Sequence, residues 1–195
     1  GSFLRFGSGI WMVSTLEIHN VQNIGFKECK KGSADCRARK GALFVEVEKR
    51  GKKFQIIGTH VQAREGEEYQ KVRNTQFIQI AKELIEPNAD ENVPIIVAGD
   101  LNTAMAKTKD YQNMLVVLGV ENGELDGPFQ FTADGKLNDL IKDETRPGKL
   151  IDYILINPRK GELKRIVREI VVYKRRWRKR NEDISDHFAI KADIY

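Results

Sequence analysis

The sequence predicts an α/β domain, built as layers of sheet and helix, in which strands outnumber helices. Three observations predict it. Residues 41–60 read as a β-hairpin: Ala42-Leu43-Phe44-Val45-Glu46-Val47-Glu48 runs out, Lys49-Arg50-Gly51-Lys52 turns, and Lys53-Phe54-Gln55-Ile56-Ile57-Gly58-Thr59-His60 returns. Residues 66–86 place Val72, Phe77, Ile80, Ala81, Leu84 and Ile85 near a 3.6-residue period, a helix that Pro87 stops. Ile95-Ile96-Val97-Ala98 is then a continuous apolar run, as expected of a strand covered on both faces.

The remaining elements follow in order. Residues 9–15, Gly-Ile-Trp-Met-Val-Ser-Thr, predict a strand with one apolar face, and His19 follows in a polar stretch as a surface histidine. Residues 28–40 form a charged loop around Gly32 and Ser33 that holds the only two cysteines, Cys29 and Cys36. No further Cys or nearby His completes a zinc set; a local disulfide and two free thiols both stay open, and with them the redox compartment. Residues 111–118 predict a second, shorter helix with Gly119 as its stop. Residues 121–146 are polar and turn-rich. Strands are expected at 150–156, closed by Asn157-Pro158, and at 163–173. A basic, aromatic loop (174–180) follows, and Ile184-Ser185-Asp186-His187 leads into a last strand at 188–195.

No repeat or linker divides the chain, so residues 1–195 are expected to form one domain. Composition is ordinary for a soluble globular protein, with 41% hydrophobic and 31% charged residues. The net charge of +5 is a mild excess, concentrated in 27–40 and 174–180, and suits an anionic partner without naming one. The chain opens on Gly-Ser, like a cloning scar, and continues Phe3-Leu4-Arg5-Phe6 without an initiator methionine, so the native N-terminus is expected upstream and localisation stays open.

Four strand ends or starts present polar groups: His60, Asp100 with Asn102, Asp152, and Asp186 with His187. Any one alone is accounted for by turn chemistry. Asp152 is the exception, because a carboxylate inside an apolar strand is costly without a partner. All four beside β runs point to one converging site, since polar groups at strand ends are where open α/β sheets place their chemistry. A carboxylate and an amide oxygen two residues apart suit a magnesium-like ion or a phosphate.

Gly58-Thr59-His60, Gly99-Asp100-Leu101-Asn102, Ile151-Asp152-Tyr153 and Ser185-Asp186-His187 occur in the order and spacing of the endonuclease/exonuclease/phosphatase superfamily, and the chain resembles that family over essentially its whole length. The resemblance implies a DNase I-like layered α/β sandwich, two β-sheets flanked by helices. Gly58-Thr59-His60-Val61-Gln62-Ala63 is similar to the signature of bacterial and neutral sphingomyelinases; Lys40-Gly41, Arg73 to Gln76 and Trp11 to Ser14 resemble the same group. Inositol polyphosphate phosphatases match less well, since their Asp-Arg pair is Asp152-Tyr153 here.

The resemblance implies Mg2+- or Mn2+-dependent phosphodiester hydrolysis, most readily of sphingomyelin or a related phospholipid, with a nuclease and an inactive binding module as the alternatives. It implies His187 as base, Asp152 as its orienting partner, His60 at the leaving alkoxide and Asn102 on a phosphate oxygen. Asp100 and Asp186 would hold the metal or orient the water. Trp177, flanked by Arg176 and Arg178, falls where secreted sphingomyelinases carry a membrane-touching hairpin. The family's Asn on its first strand and its main metal-binding Glu lie upstream of anything matching Gly9. The chain is therefore expected to be the C-terminal, N-terminally truncated part of its domain, binding metal weakly alone. The oligomeric state is left open.

Overall fold

The computed structural model describes residues 9–160 and 165–195. Eleven strands are described: β1 Ile18–Gly25, β2 Gly41–Lys49, β3 Lys52–His60, β4 Ile95–Asp100, β5 Glu121–Asn122, β6 Glu124–Asp126, β7 Asp152–Asn157, β8 Ile166–Val171, β9 Lys174–Arg178, β10 Asn181–Asp183 and β11 Ala189–Ile194. Two α-helices, α1 Glu67–Ile80 and α2 Thr108–Leu118, join them. The large sheet has the order β1-β2-β3-β4-β7-β5, and a smaller one β11-β8-β6; β9 and β10 form a separate hairpin. This is the layered α/β architecture the sequence predicts.

β3 and β4 are parallel, which demands a crossover, and α1 supplies it. α1 runs on through one π turn, where the Glu86 amide donates to the Ala81 carbonyl at 2.8 Å, and stops before Pro87. Strand alternation then sorts the core. Ile57, Ile95, Val97 and Leu155 pack with Phe77, Ile80 and Leu84 on the helical side. Ile96 and Ile156 face the other way, onto Ile166 of β8 and Ala192 and Ile194 of β11. β4 is apolar from Ile95 to Ala98 because that stretch is covered on both faces. Gly119 ends α2 in the left-handed conformation (φ 63°) that suits glycine at a helix C-terminus.

Three expectations need correcting. Residues 9–15 lie outside any sheet: Ile10 and Met12 seat over Gly58, while Trp11 and Val13 face solvent, so the apolar alternation marks a covering segment rather than a strand. The first strand is β1, which carries His19 and was hidden by its polar, largely exposed edge position. The basic stretch 174–180 is the β9–β10 hairpin, not a loop, because the Arg178–Asn181 and Lys174–Asp183 register pairs it. Residues 163 and 164 of the expected strand lie outside the described residues. No described helix is long and apolar enough to cross a membrane.

Candidate active site

Register builds the site. His60 on β3 pairs with Asp100 on β4, and Asp100 pairs with Asp152 on β7. Three neighbouring strands about 4.8 Å apart thus carry one row of side chains on a single face. It is the face that Ile96 and Ile156 present to the smaller sheet. Gly99 makes the close pairing of β3 and β4 possible: a Cβ there would lie 1.9 Å from the Thr59 carbonyl oxygen, and its φ is 136°. Asp100 then caps the turn that follows, its Oδ1 accepting the Asn102 amide at 2.9 Å. Asn102 takes a positive φ of 46°, tolerable for asparagine, and its side-chain amide donates to the Val61 carbonyl at 3.3 Å.

His187 reaches the row from the loop before β11. That loop is pinned by the Phe188 amide on the Thr132 carbonyl (2.7 Å) and the Asn138 amide on the Ser185 carbonyl (2.9 Å). His187 Nδ1 lies 2.8 Å from Asp152 Oδ2, which supplies the partner that a carboxylate in an apolar strand needs. Asp100, Asp152 and His187 each offer a ligand atom within 4.8 Å of the others. Asp186 is exposed and outside this group.

On the opposite wall, Lys40 Nζ lies 2.9 Å from His60 Nε2, donates to the Val61 carbonyl at 2.8 Å and pairs with Asp35 Oδ1 at 3.1 Å. Asp35 Oδ2 accepts the Ala63 amide and the Gln62 side chain, both at 2.6 Å. The adjoining Cys29–Cys36 disulfide is formed, which resolves the open cysteine question. Behind both, α1 turns a polar face inward. Gln76 holds the Gln62 amide and the Glu28 carbonyl at 2.8 Å each, and Arg73 Nη1 holds the Gln62 and Arg64 carbonyls at 3.0 and 2.7 Å.

The two histidines sit in opposite fields. Burial, and then the Lys40 ammonium, push His60 down to about 4. Burial also pulls on His187, but its hydrogen bond to Asp152 and the charges of Asp152, Asp100 and Asp186 outweigh it and hold His187 up at about 9. Burial, then the Asp152 charge, raise Asp100 to about 6. Lys40 is lowered by burial, with Asp35 opposing. His60 Nε2 thus lies between the Lys40 ammonium at 2.9 Å and Asp100 Oδ2 at 3.3 Å. Two facing carboxylates that repel one another fit a hard divalent cation.

The structure therefore brings together His60, Asp100, Asn102, Asp152 and His187. Trp177 lies on the hairpin, 47% exposed, with its indole N–H donating to the Asp183 carbonyl at 2.7 Å and the Arg178 guanidinium 4.7 Å over its ring. Arg176 pairs with Glu182 at 2.8 Å. Asp35 carries no sequence signal, and Lys40 carries one only through the likeness of Lys40-Gly41 to the sphingomyelinases.

Residues 8–126 match the family described as Endonuclease/Exonuclease/phosphatase family 2. The chain is 31% identical to a sphingomyelinase C of Leptospira interrogans over 96% of its own length and 35% of that protein's. It is 28% identical to a phospholipase C of Staphylococcus aureus over 94% of its length and 59% of that protein's. It therefore spans between a third and three-fifths of these curated relatives. A crystal structure of Staphylococcus aureus beta toxin with bound magnesium ions superposes at a TM-score of 0.85, with 26% identity, over 95% of this chain and 68% of that one. With its strand-end motifs converging in one row and a family match across well over half its length, the chain belongs to the endonuclease/exonuclease/phosphatase family.

Proposed function

We propose that the protein hydrolyses a phosphodiester with a divalent metal, Mg2+ or Mn2+, by phospholipase C-type cleavage of sphingomyelin or a related phospholipid. The observation that carries this reading is the in-register row His60–Asp100–Asp152 with His187 bonded to Asp152. The names of its relatives, sphingomyelinase C and phospholipase C, support the lipid substrate.

Asp100 and the second oxygen of Asp152 would hold the metal, which when bound supplies charge neutralisation at a phosphate oxygen. His187 Nε2 takes the proton of the attacking water as the water oxygen bonds to phosphorus. For that it must first be neutral, and neutralising the carboxylate pair removes the attraction that otherwise keeps it charged. Asp152 then steadies the imidazolium. Asn102 binds a non-bridging oxygen. The phosphorus–oxygen bond to the lipid breaks, and the Lys40–His60 pair delivers the proton to the departing alkoxide. Asp186 acts at longer range on His187. The β9–β10 hairpin would meet the membrane surface through Trp177, Arg176 and Arg178.

The test is a panel of sphingomyelin, phosphatidylcholine, plasmid DNA and an abasic duplex, each with magnesium and with chelator. It is run on this chain and on any longer native form. The proposal expects magnesium-dependent phosphocholine release from sphingomyelin. DNA cleavage without lipid hydrolysis would overturn it in favour of a nuclease.

A further inference from the structure

Asp152 and His187 come from different sheets. Asp152 opens β7 in the larger sheet, and His187 precedes β11 in the smaller one. The two sheets meet through Ile96, Ile156, Ile166, Ala192 and Ile194, and apolar packing of this kind is non-directional. The bond between His187 Nδ1 and Asp152 Oδ2, at 2.8 Å, is directional and weakens steeply when misaligned. Packing alone therefore leaves the pair loosely set, and a polar tie between the two sheet ends is needed to fix it.

Thr132 supplies that tie. It lies fully buried in the irregular stretch between β6 and β7. Its Oγ1 accepts the amides of Ile151 and Asp152, both at 3.3 Å, and donates to the Lys149 carbonyl at 3.4 Å. A hydroxyl has two acceptor positions and one proton, so all of its capacity is used here. The backbone carbonyl of Thr132 accepts the Phe188 amide at 2.7 Å, one residue beyond His187. Asn138, also buried, holds the other side of His187 by donating to the Ser185 carbonyl at 2.9 Å. One residue thus bonds the backbone at Asp152 with its side chain and the backbone beside His187 with its carbonyl.

We propose that Thr132 is a positioning residue of this site, setting the distance between Asp152 and His187. The inference rests on the reading of that pair as the proton-transfer pair of a hydrolase. Thr132 itself touches no reacting atom. Without its hydroxyl, the Ile151 and Asp152 amides lose their acceptor in a buried place, and the start of β7 moves to find another. Asp152 then leaves His187.

The test follows the His187 Nδ1 proton by NMR at neutral pH, without metal or substrate, in the wild type, Thr132→Val, Thr132→Ser and Leu118→Ala. Valine removes the oxygen, and serine keeps it. Leu118→Ala loosens the core at α2, far along the chain from both partners, and controls for general destabilisation. The wild type should show a downfield Nδ1 resonance protected from exchange. Thr132→Val should lose it, while Thr132→Ser and Leu118→Ala should keep it. In the sphingomyelin assay with magnesium, Thr132→Val should lower kcat by about 10- to 100-fold with KM little changed, and Thr132→Ser should restore most of the loss. The proposal is overturned if the wild type lacks the resonance, if Thr132→Val keeps it or keeps full kcat, or if Thr132→Ser or Leu118→Ala loses it. A Thr132→Val chain that does not fold leaves the decision to Thr132→Ser, whose loss of the resonance overturns the proposal and whose retention of it supports the hydroxyl as the tie. If the wild type cleaves no lipid, the lipid reading fails, and the resonance still decides for or against Thr132.

Discussion

The two walls of the active site hold the same residue type in opposite states. On the β3 wall, His60 faces Lys40 and is pushed to about 4. On the β7 wall, His187 faces Asp152 and is held at about 9. Both imidazoles are partly buried, so burial alone would lower both. The partner decides: an ammonium adds to burial, whereas a hydrogen-bonded carboxylate reverses it. The proposed reaction needs the opposite loading: His187 has to lose its proton before it can act as base, and on the other wall the proton comes from Lys40 through neutral His60. In the metal-free chain the proton resides on His187, so the proposed base is ready only when its carboxylate neighbours are neutralised.

The comparison can be broken at either wall. The largest effect is expected from His187→Ala, which removes the proposed base and should cut kcat for the proposed sphingomyelin hydrolysis by about 100- to 10,000-fold. Full activity in that variant would remove His187 from the mechanism. Asp152→Asn keeps the shape but takes away the charge. His187 should titrate well below about 9, and kcat should fall by roughly 100-fold. Lys40→Met acts on the other wall and should be milder, about 10-fold in kcat, while His60 rises from about 4. A Lys40→Met variant whose His60 does not move would show that burial alone sets that wall.

Stability without metal should show the same division. His187 is raised from 6.5 to about 9 in the folded chain, so its contribution is complete below pH 6.5 and lost as pH climbs through about 9. His60 is lowered from 6.5 to about 4, so between those values only the unfolded chain takes up its proton, and stability falls as pH drops through that window. In chelator, denaturant midpoints of His187→Ala should lose the alkaline slope relative to wild type, and those of His60→Ala the acid slope. Identical slopes in all three proteins would contradict the assignment.

Much of the site was legible because strand ends announce themselves. Ile95 to Ala98 gave β4 by apolarity alone, and Asp100 with Asn102 followed at its end; His60 closed the hairpin, and Asp152 stood out as a carboxylate among apolar neighbours. What the sequence hid was polar groups turned inward. Lys40 sits in a basic run that reads as a solvated surface, yet it is 8% exposed and holds His60. Gln70, Arg73, Gln76 and Gln79 have the spacing of a wet helix face, but they are buried, Arg73 and Gln76 holding the loop after β3 and Gln76 and Gln79 the chain after β1. Arg168 looks like a surface charge in an alternating strand until the alternation is seen to point Ile166 and Ile170 the same way. Hydrophobic periodicity locates apolar faces; it cannot tell a solvated polar face from one satisfied inside. β1 and the segment 9–15 were exchanged for the same reason, the strand being polar and the covering segment apolar.

The account rests most directly on how the two walls divide the protons. That is measured by following the imidazole resonances of His60 and His187 by NMR across pH in the metal-free protein, each assigned from its alanine variant. The account predicts titration near 4 for His60 and near 9 for His187. Both midpoints close to the ordinary 6.5, or the reverse order, would contradict it.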